Sequence, residues 1–86
     1  ESVYRELALI KVRVTSARDR MDVLAVANAY RADPVDVSPG SITIELIGDQ
    51  EKIDAFIAVL DGYEILELAR TGIAGLSRGI ENVTYL

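Results

Sequence analysis

The sequence predicts an α+β domain in which an antiparallel sheet is covered on one face by two helices. Three observations carry this: runs of apolar alternation at period two, two stretches whose apolar period lengthens to that of a helix, and Pro and Gly placed between them as turn formers. At 86 residues the chain is the size of one domain, and a domain this small buries only about 60–65 per cent of the surface its unfolded form exposes.

The first run, YRELALIKVRVT at 4–15, alternates as a strand does. Ala8, Ile10, Val12 and Val14 form the face expected to be buried, and Leu7, Leu9, Lys11 and Arg13 the other. From Arg18 the period changes, and Val23, Val26, Ala27 and Tyr30 fall on one helical stripe. Ser16 or Asp19 is placed to cap its start, and Pro34, which biases Asp33 toward extended backbone, ends it near Arg31. Then PVDV and SITIELIG, joined by Ser38-Pro39-Gly40-Ser41, read as a hairpin with Ile42, Ile44 and Leu46 inward and Thr43, Glu45 and Ile47 outward.

Asp49 is placed as the N-cap of a second helix, Glu51 suits its dipole, and Ile53, Phe56, Ile57 and Leu60 repeat at helical spacing. Gly62 suits a left-handed helix end, and YEILELART at 63–71 reads as a last strand. The order strand, helix, strand, strand, helix, strand has a common compact solution, the ferredoxin-like βαββαβ sandwich, which leaves one sheet face bare of its own helices. Its expected core is Ile10, Val12, Val14, Val23, Tyr30, Ile44, Leu46, Ile53, Phe56, Ile57 and Leu60. Residues 1–71 are assigned to this domain. Residues 72–86, with Gly at 72, 75 and 79 and no sustained period, are expected to be a C-terminal tail or docking segment.

Composition narrows the function. Nine Lys and Arg against fourteen Asp and Glu give a net charge of -5, and so acidic a surface repels a phosphate backbone, which argues against nucleic acid as a partner. The chain has no His and no Cys, so it lacks the usual general base, thiolate nucleophile and transition-metal ligands. Absence of Cys fits a reducing compartment, and the cytoplasm is the expected location. No apolar run approaches the roughly 20 residues that span a bilayer, and no signal sequence opens the chain, so no membrane association is expected.

Each candidate site also has a structural reading. Arg18 and Arg20 flank the start of the first helix, where an anion could dock, but TSARDRMD lacks the Gly-rich backbone a phosphate cradle needs, and a solvated loop is the simpler reading. Asp33 with Asp36, and Asp49 with Glu51 and Asp54, could be imagined around a hard cation, yet acids early in a helix are what its dipole favours. No pair of nucleophile and base can be named, so no catalytic, cofactor or metal site is assigned.

The bare sheet face is the exception. It offers Leu7, Leu9, Lys11, Arg13, Thr43, Glu45 and Ile47 with no aromatic on which a base could stack, which disfavours RNA. Leu7, Leu9 and Ile47 flanked by charges of both signs have the character of a protein contact. With Glu67 on the neighbouring last strand, the interface candidates are Leu7, Leu9, Lys11, Arg13, Glu45, Ile47 and Glu67.

Four segments, YRELALIKVRV, VDVSPGSITIELIG, EKIDAFIAVL and ILELARTGIAGLSRG, resemble the C-terminal half of the acetolactate synthase small subunit. The likeness spans about residues 4–79. LARTGIAGLSRG carries most of it, supported by REL before the first strand and DAF in the second helix. IENVTYL matches no pattern of the family, and the first helix resembles it only in its apolar stripe.

The resemblance implies a non-catalytic regulatory subunit of branched-chain amino-acid synthesis. Its partner would be a catalytic large subunit that holds thiamine diphosphate, magnesium and a flavin and condenses pyruvate with pyruvate or 2-oxobutyrate. In that family an ACT domain that binds the feedback inhibitor valine precedes this region, and the chain begins where that domain would already have ended. No ligand residue is therefore carried over and no cofactor is expected on this chain. Homo-oligomerisation is expected. The competing reading is a freestanding ferredoxin-like module that binds a small effector between protomers.

Overall fold

A computed structural model describes residues 5–71 and the backbone of 83–85. The elements are β1 (Glu6–Arg13), α1 (Ala17–Ala29), β2 (Asp33–Ser38), β3 (Ser41–Gly48), α2 (Gln50–Val59), β4 (Ile65–Arg70) and β5 (Val83–Tyr85). The first six follow the βαββαβ order, and the sheet order β2-β3-β1-β4-β5 places β1 at the centre. β1 runs antiparallel to both β3 and β4, and β3 antiparallel to β2, as a ferredoxin-like fold requires. β5 is an addition that the sequence pattern does not foretell: it pairs parallel with β4, Leu68 opposite Val83 and Arg70 opposite Tyr85. Most of the segment assigned to a tail, 72–82 and 86, lies outside the described residues.

Local chemistry sets the helix ends. Ser16 caps α1 by accepting the Asp19 amide at 3.0 Å, and Asp49 caps α2 by accepting the Lys52 amide at 2.8 Å. Between the two caps proposed for α1, Ser16 takes the role. Asp19 instead accepts the Thr15 amide and hydroxyl at 3.1 and 2.8 Å. α1 closes on Tyr30, after which Arg31 takes the left-handed conformation (φ 58°). Gly62, at φ 103°, lets the chain turn from α2 toward β4 without the penalty a Cβ would bring.

Pro34 sits in β2, an edge strand where its missing N–H costs no ladder bond, and the register slips beside it: Pro34 opposes Ile44 and Asp36 opposes Thr43, so Val35 is bulged. A second slip lies between β1 and β4, where Lys11 opposes Glu67 and Val12 opposes Ile65.

The two helices cover one face of the sheet. Ala8, Ile10 and Val12 of β1, Ile42, Ile44 and Leu46 of β3 and Leu68 of β4 pack with Val23, Ala27, Ile53, Phe56 and Leu60 in a single buried cluster. Tyr30 and Ile57, expected in the core, are only partly buried and pack against its edge. The Tyr30 ring meets Phe56 edge-on with centroids 5.2 Å apart, which lets its hydroxyl reach water while its body stays apolar.

Candidate functional site

The bare sheet face gathers the residues that sequence parity assigned to it. Leu7 lies opposite Ile47, Leu9 opposite Glu45 on one side and Ala69 on the other, and Lys11 opposite Thr43 and Glu67. Cross-strand partners share a face, so Leu7, Leu9, Lys11, Arg13, Glu45, Ile47 and Glu67 lie together. Leu7 and Leu9 are half-buried between their neighbours, and Ile47 is 48% exposed. Lys11 reaches Glu67 at 4.0 Å, while Arg13 leans away from the face centre to donate to Glu64 at 2.8 Å. The register adds two acids whose spacing in the sequence suggested only a hard-cation site: Asp33 stands opposite Glu45 and Asp36 opposite Thr43. The β2–β3 side of the face is therefore acidic, the β1–β4 side internally paired, and Leu7, Leu9, Ile47 and Ala69 form an apolar patch beside them.

On the covered face a second arrangement appears that sequence reasoning missed. Arg70 points inward beside Ala8 and is 6% exposed. Its guanidinium grips both Glu6 oxygens, Nε to Oε1 at 3.2 Å and Nη2 to Oε2 at 3.3 Å, and its Nη1 donates to Asp54 Oδ1 of α2 at 2.8 Å. Burial by itself lowers the pKa of such a cation; the bonds to Glu6 and Asp54 outweigh it and raise the Arg70 pKa above its ordinary value. The next residue completes a clamp: the Leu7 amide donates to the Thr71 hydroxyl at 2.9 Å, and the Thr71 amide donates to the Leu7 carbonyl at 3.0 Å. Asp54, read from sequence as a helix-dipole carboxylate, is thus one end of a tie between two strands and a helix. Parity held the signal, since Glu6 and Arg70 fall in phase with Ala8 and Leu68 and so place opposite charges on the buried face.

The remaining candidates have structural roles. Arg20 donates to the Pro39 carbonyl at 3.2 Å, tying α1 to the hairpin turn. Tyr63 donates to Asp22 at 3.5 Å; burial, then the nearby carboxylate of Asp22, pushes its phenol pKa up. Among the described residues no group of three or more carboxylates is arranged to hold a metal ion, and no helix is long and apolar enough to cross a membrane. Every buried side-chain polar atom among them has a hydrogen-bond partner.

The segments joined by the Arg70 tie are those that carry the resemblance: REL holds Glu6, DAF holds Asp54, and LARTG holds Arg70 and Thr71. Residues 5–79 match the family model described as the small subunit of acetolactate synthase. The chain belongs to the acetolactate synthase small-subunit family. It is 46% identical over 78 residues to the probable acetolactate synthase small subunit of Methanothermobacter thermautotrophicus, covering 91% of this chain and 46% of that protein. It is 49% identical over 76 residues to the small subunit of Aquifex aeolicus, covering 88% of this chain and 40% of that one. The crystal structure of the small subunit from Thermotoga maritima superposes with a TM-score of 0.72 at 38% identity, covering 79% of this chain and 41% of that chain. The chain thus spans about half the length of the curated relatives it matches.

Proposed function

We propose that this chain is the C-terminal domain of a regulatory small subunit, an assembly module that supports oligomerisation and control of a thiamine-diphosphate-dependent catalytic subunit in branched-chain amino-acid biosynthesis. The observation that carries the reading is the family match over residues 5–79, joined to a sheet face that, among the described residues, α1 and α2 leave uncovered. The reading makes the domain non-catalytic and cytoplasmic, and the chemistry supports the first point: without His or Cys there is no ordinary base or thiolate to drive condensation of 2-oxo acids. The bare face serves contact with a second copy, and the catalytic subunit is the further partner.

The chain alone should turn over no pyruvate with thiamine diphosphate and magnesium, and titration calorimetry with valine should show no saturable heat. It should sediment as a dimer or larger species, and Leu9→Lys should shift it toward monomer with its melting temperature unchanged, because Leu9 faces away from the core. Saturable stoichiometric valine binding would replace this reading with an effector-binding module. A wild-type chain that remains monomeric at high concentration would remove self-association from it.

A further inference from the structure

We infer that two copies of this chain pack bare face to bare face with their strands crossed near a right angle about a two-fold axis over Leu9, so that Glu45 meets Lys11 of the partner subunit and Asp33 meets Arg13 of the partner subunit. The inference rests on the self-association reading above and specifies its geometry.

The face is laid out as a grid. Neighbouring strands stand about 4.8 Å apart, and successive outward residues along one strand about 6.7 Å apart. Starting from Leu9 and moving across the sheet toward β2, the positions are Glu45 and then Asp33. Starting again from Leu9 and moving along β1, they are Lys11 and then Arg13, on the same face because β1 keeps an unbroken register with β3. Two acids in one direction are matched step for step by two cations in the perpendicular one.

A two-fold axis lying in the interface and bisecting those directions exchanges them. It brings Leu9 onto its own copy and sets Leu7 against Ala69 across the interface, keeping the apolar centre dry. Orthogonal crossing is one of the two ways sheets pack face to face. The aligned way fails on charge. An axis along β1 puts Lys11 over Lys11 and Arg13 over Arg13; an axis across the strands at Leu9 puts Glu45 over Glu45 and Asp33 over Asp33. Like charges opposed at a contact disfavour it, and complementary ones set its register.

The cations are available for this role. The Lys11–Glu67 pair is long, at 4.0 Å, and exposed, with Glu67 at 74%, so Lys11 loses little by turning outward. Arg13 has a second fork of donors beyond the Nε it gives Glu64. Strands of six to eight residues at about 3.4 Å apiece, four abreast, give a face on the order of 15 by 20–27 Å, smaller than standard stable interfaces, so charge register weighs heavily.

The test is sedimentation equilibrium on the 86-residue chain and two variants, Lys11→Glu and Glu45→Lys. Each variant alone places like charges at both symmetric contacts and should dimerise at least about tenfold more weakly than wild type. Mixed one to one, they restore opposite charges at both contacts, and a heterodimer should form with affinity within about threefold of wild type. The pair Arg13→Glu and Asp33→Arg repeats the test at the outer contacts should either inner variant fold poorly. A wild-type dimer whose variants associate as tightly as it does, or whose mixture stays as weak as each variant alone, overturns the crossed geometry and leaves self-association standing. A monomeric wild type overturns both.

Discussion

The two faces of one sheet hold their charges in opposite ways. On the covered face Arg70 has left water almost completely and is satisfied by two carboxylates, one of them gripped at both oxygens. On the bare face Lys11 meets Glu67 at 4.0 Å with side chains 36% and 74% exposed, and Asp33 and Glu45 stand opposite each other among the outward residues. Removing the cation strands the buried Glu6 without solvent, whereas an exposed pair trades one weak contact for hydration. The covered face therefore carries stability, and the bare face is free to carry recognition.

The largest expected effect is at the centre of the covered side. Phe56 is fully buried, and Phe56→Ala should cost about 3–5 kcal/mol in urea unfolding. A melting temperature that barely moves would mean that α2 does not bury this stripe. Arg70→Ala should follow, at about 3 kcal/mol or more, because Glu6 would stay buried with no counter-charge. Replacing both, Glu6→Leu with Arg70→Met, should recover most of that loss. If the double variant were as unstable as the single one, the tie would owe its effect to something other than the buried charge.

On the bare face, Glu67→Gln should change monomer stability by less than about 1 kcal/mol, since its partner lies far off in an exposed setting. A loss as large as that of Arg70→Ala would erase the contrast between the faces. The smallest effect is pH-dependent and lies at the start of α1. Bonds from the Thr15 hydroxyl, then its amide, hold the Asp19 carboxyl below the usual range. A lowered folded pKa means stability present above the unfolded value, about 3.9, and lost as pH falls through the folded one. Wild type and Asp19→Ala should accordingly differ in melting temperature near neutrality and converge in acid; a difference that persists at the lowest pH would assign it to packing.

Much of this was legible in the chain. Alternation in LALIKVRV and SITIELI decided which residues face the helices, because a side-chain period of two allows no other assignment once one face is apolar. The caps at Ser16 and Asp49 and the turn at Gly62 are local chemistry, and local sequence specifies them. The interface candidates reached one face for the same reason of parity. Membership of that face by Asp33 and Asp36 was not legible, since it depends on the bulge at Val35, a choice the chain makes only when β2 pairs with β3.

The sequence by itself determined the order of the first six elements, the buried stripe and the absence of His and Cys, all properties read directly along the chain. Only the tertiary structure decided that Glu6, Asp54 and Arg70 form one cluster, because they are brought together across gaps of up to 64 residues. It alone decided that β5 closes onto β4, since a three-residue strand has too short a pattern to declare itself and takes its conformation from the backbone groups its neighbour offers.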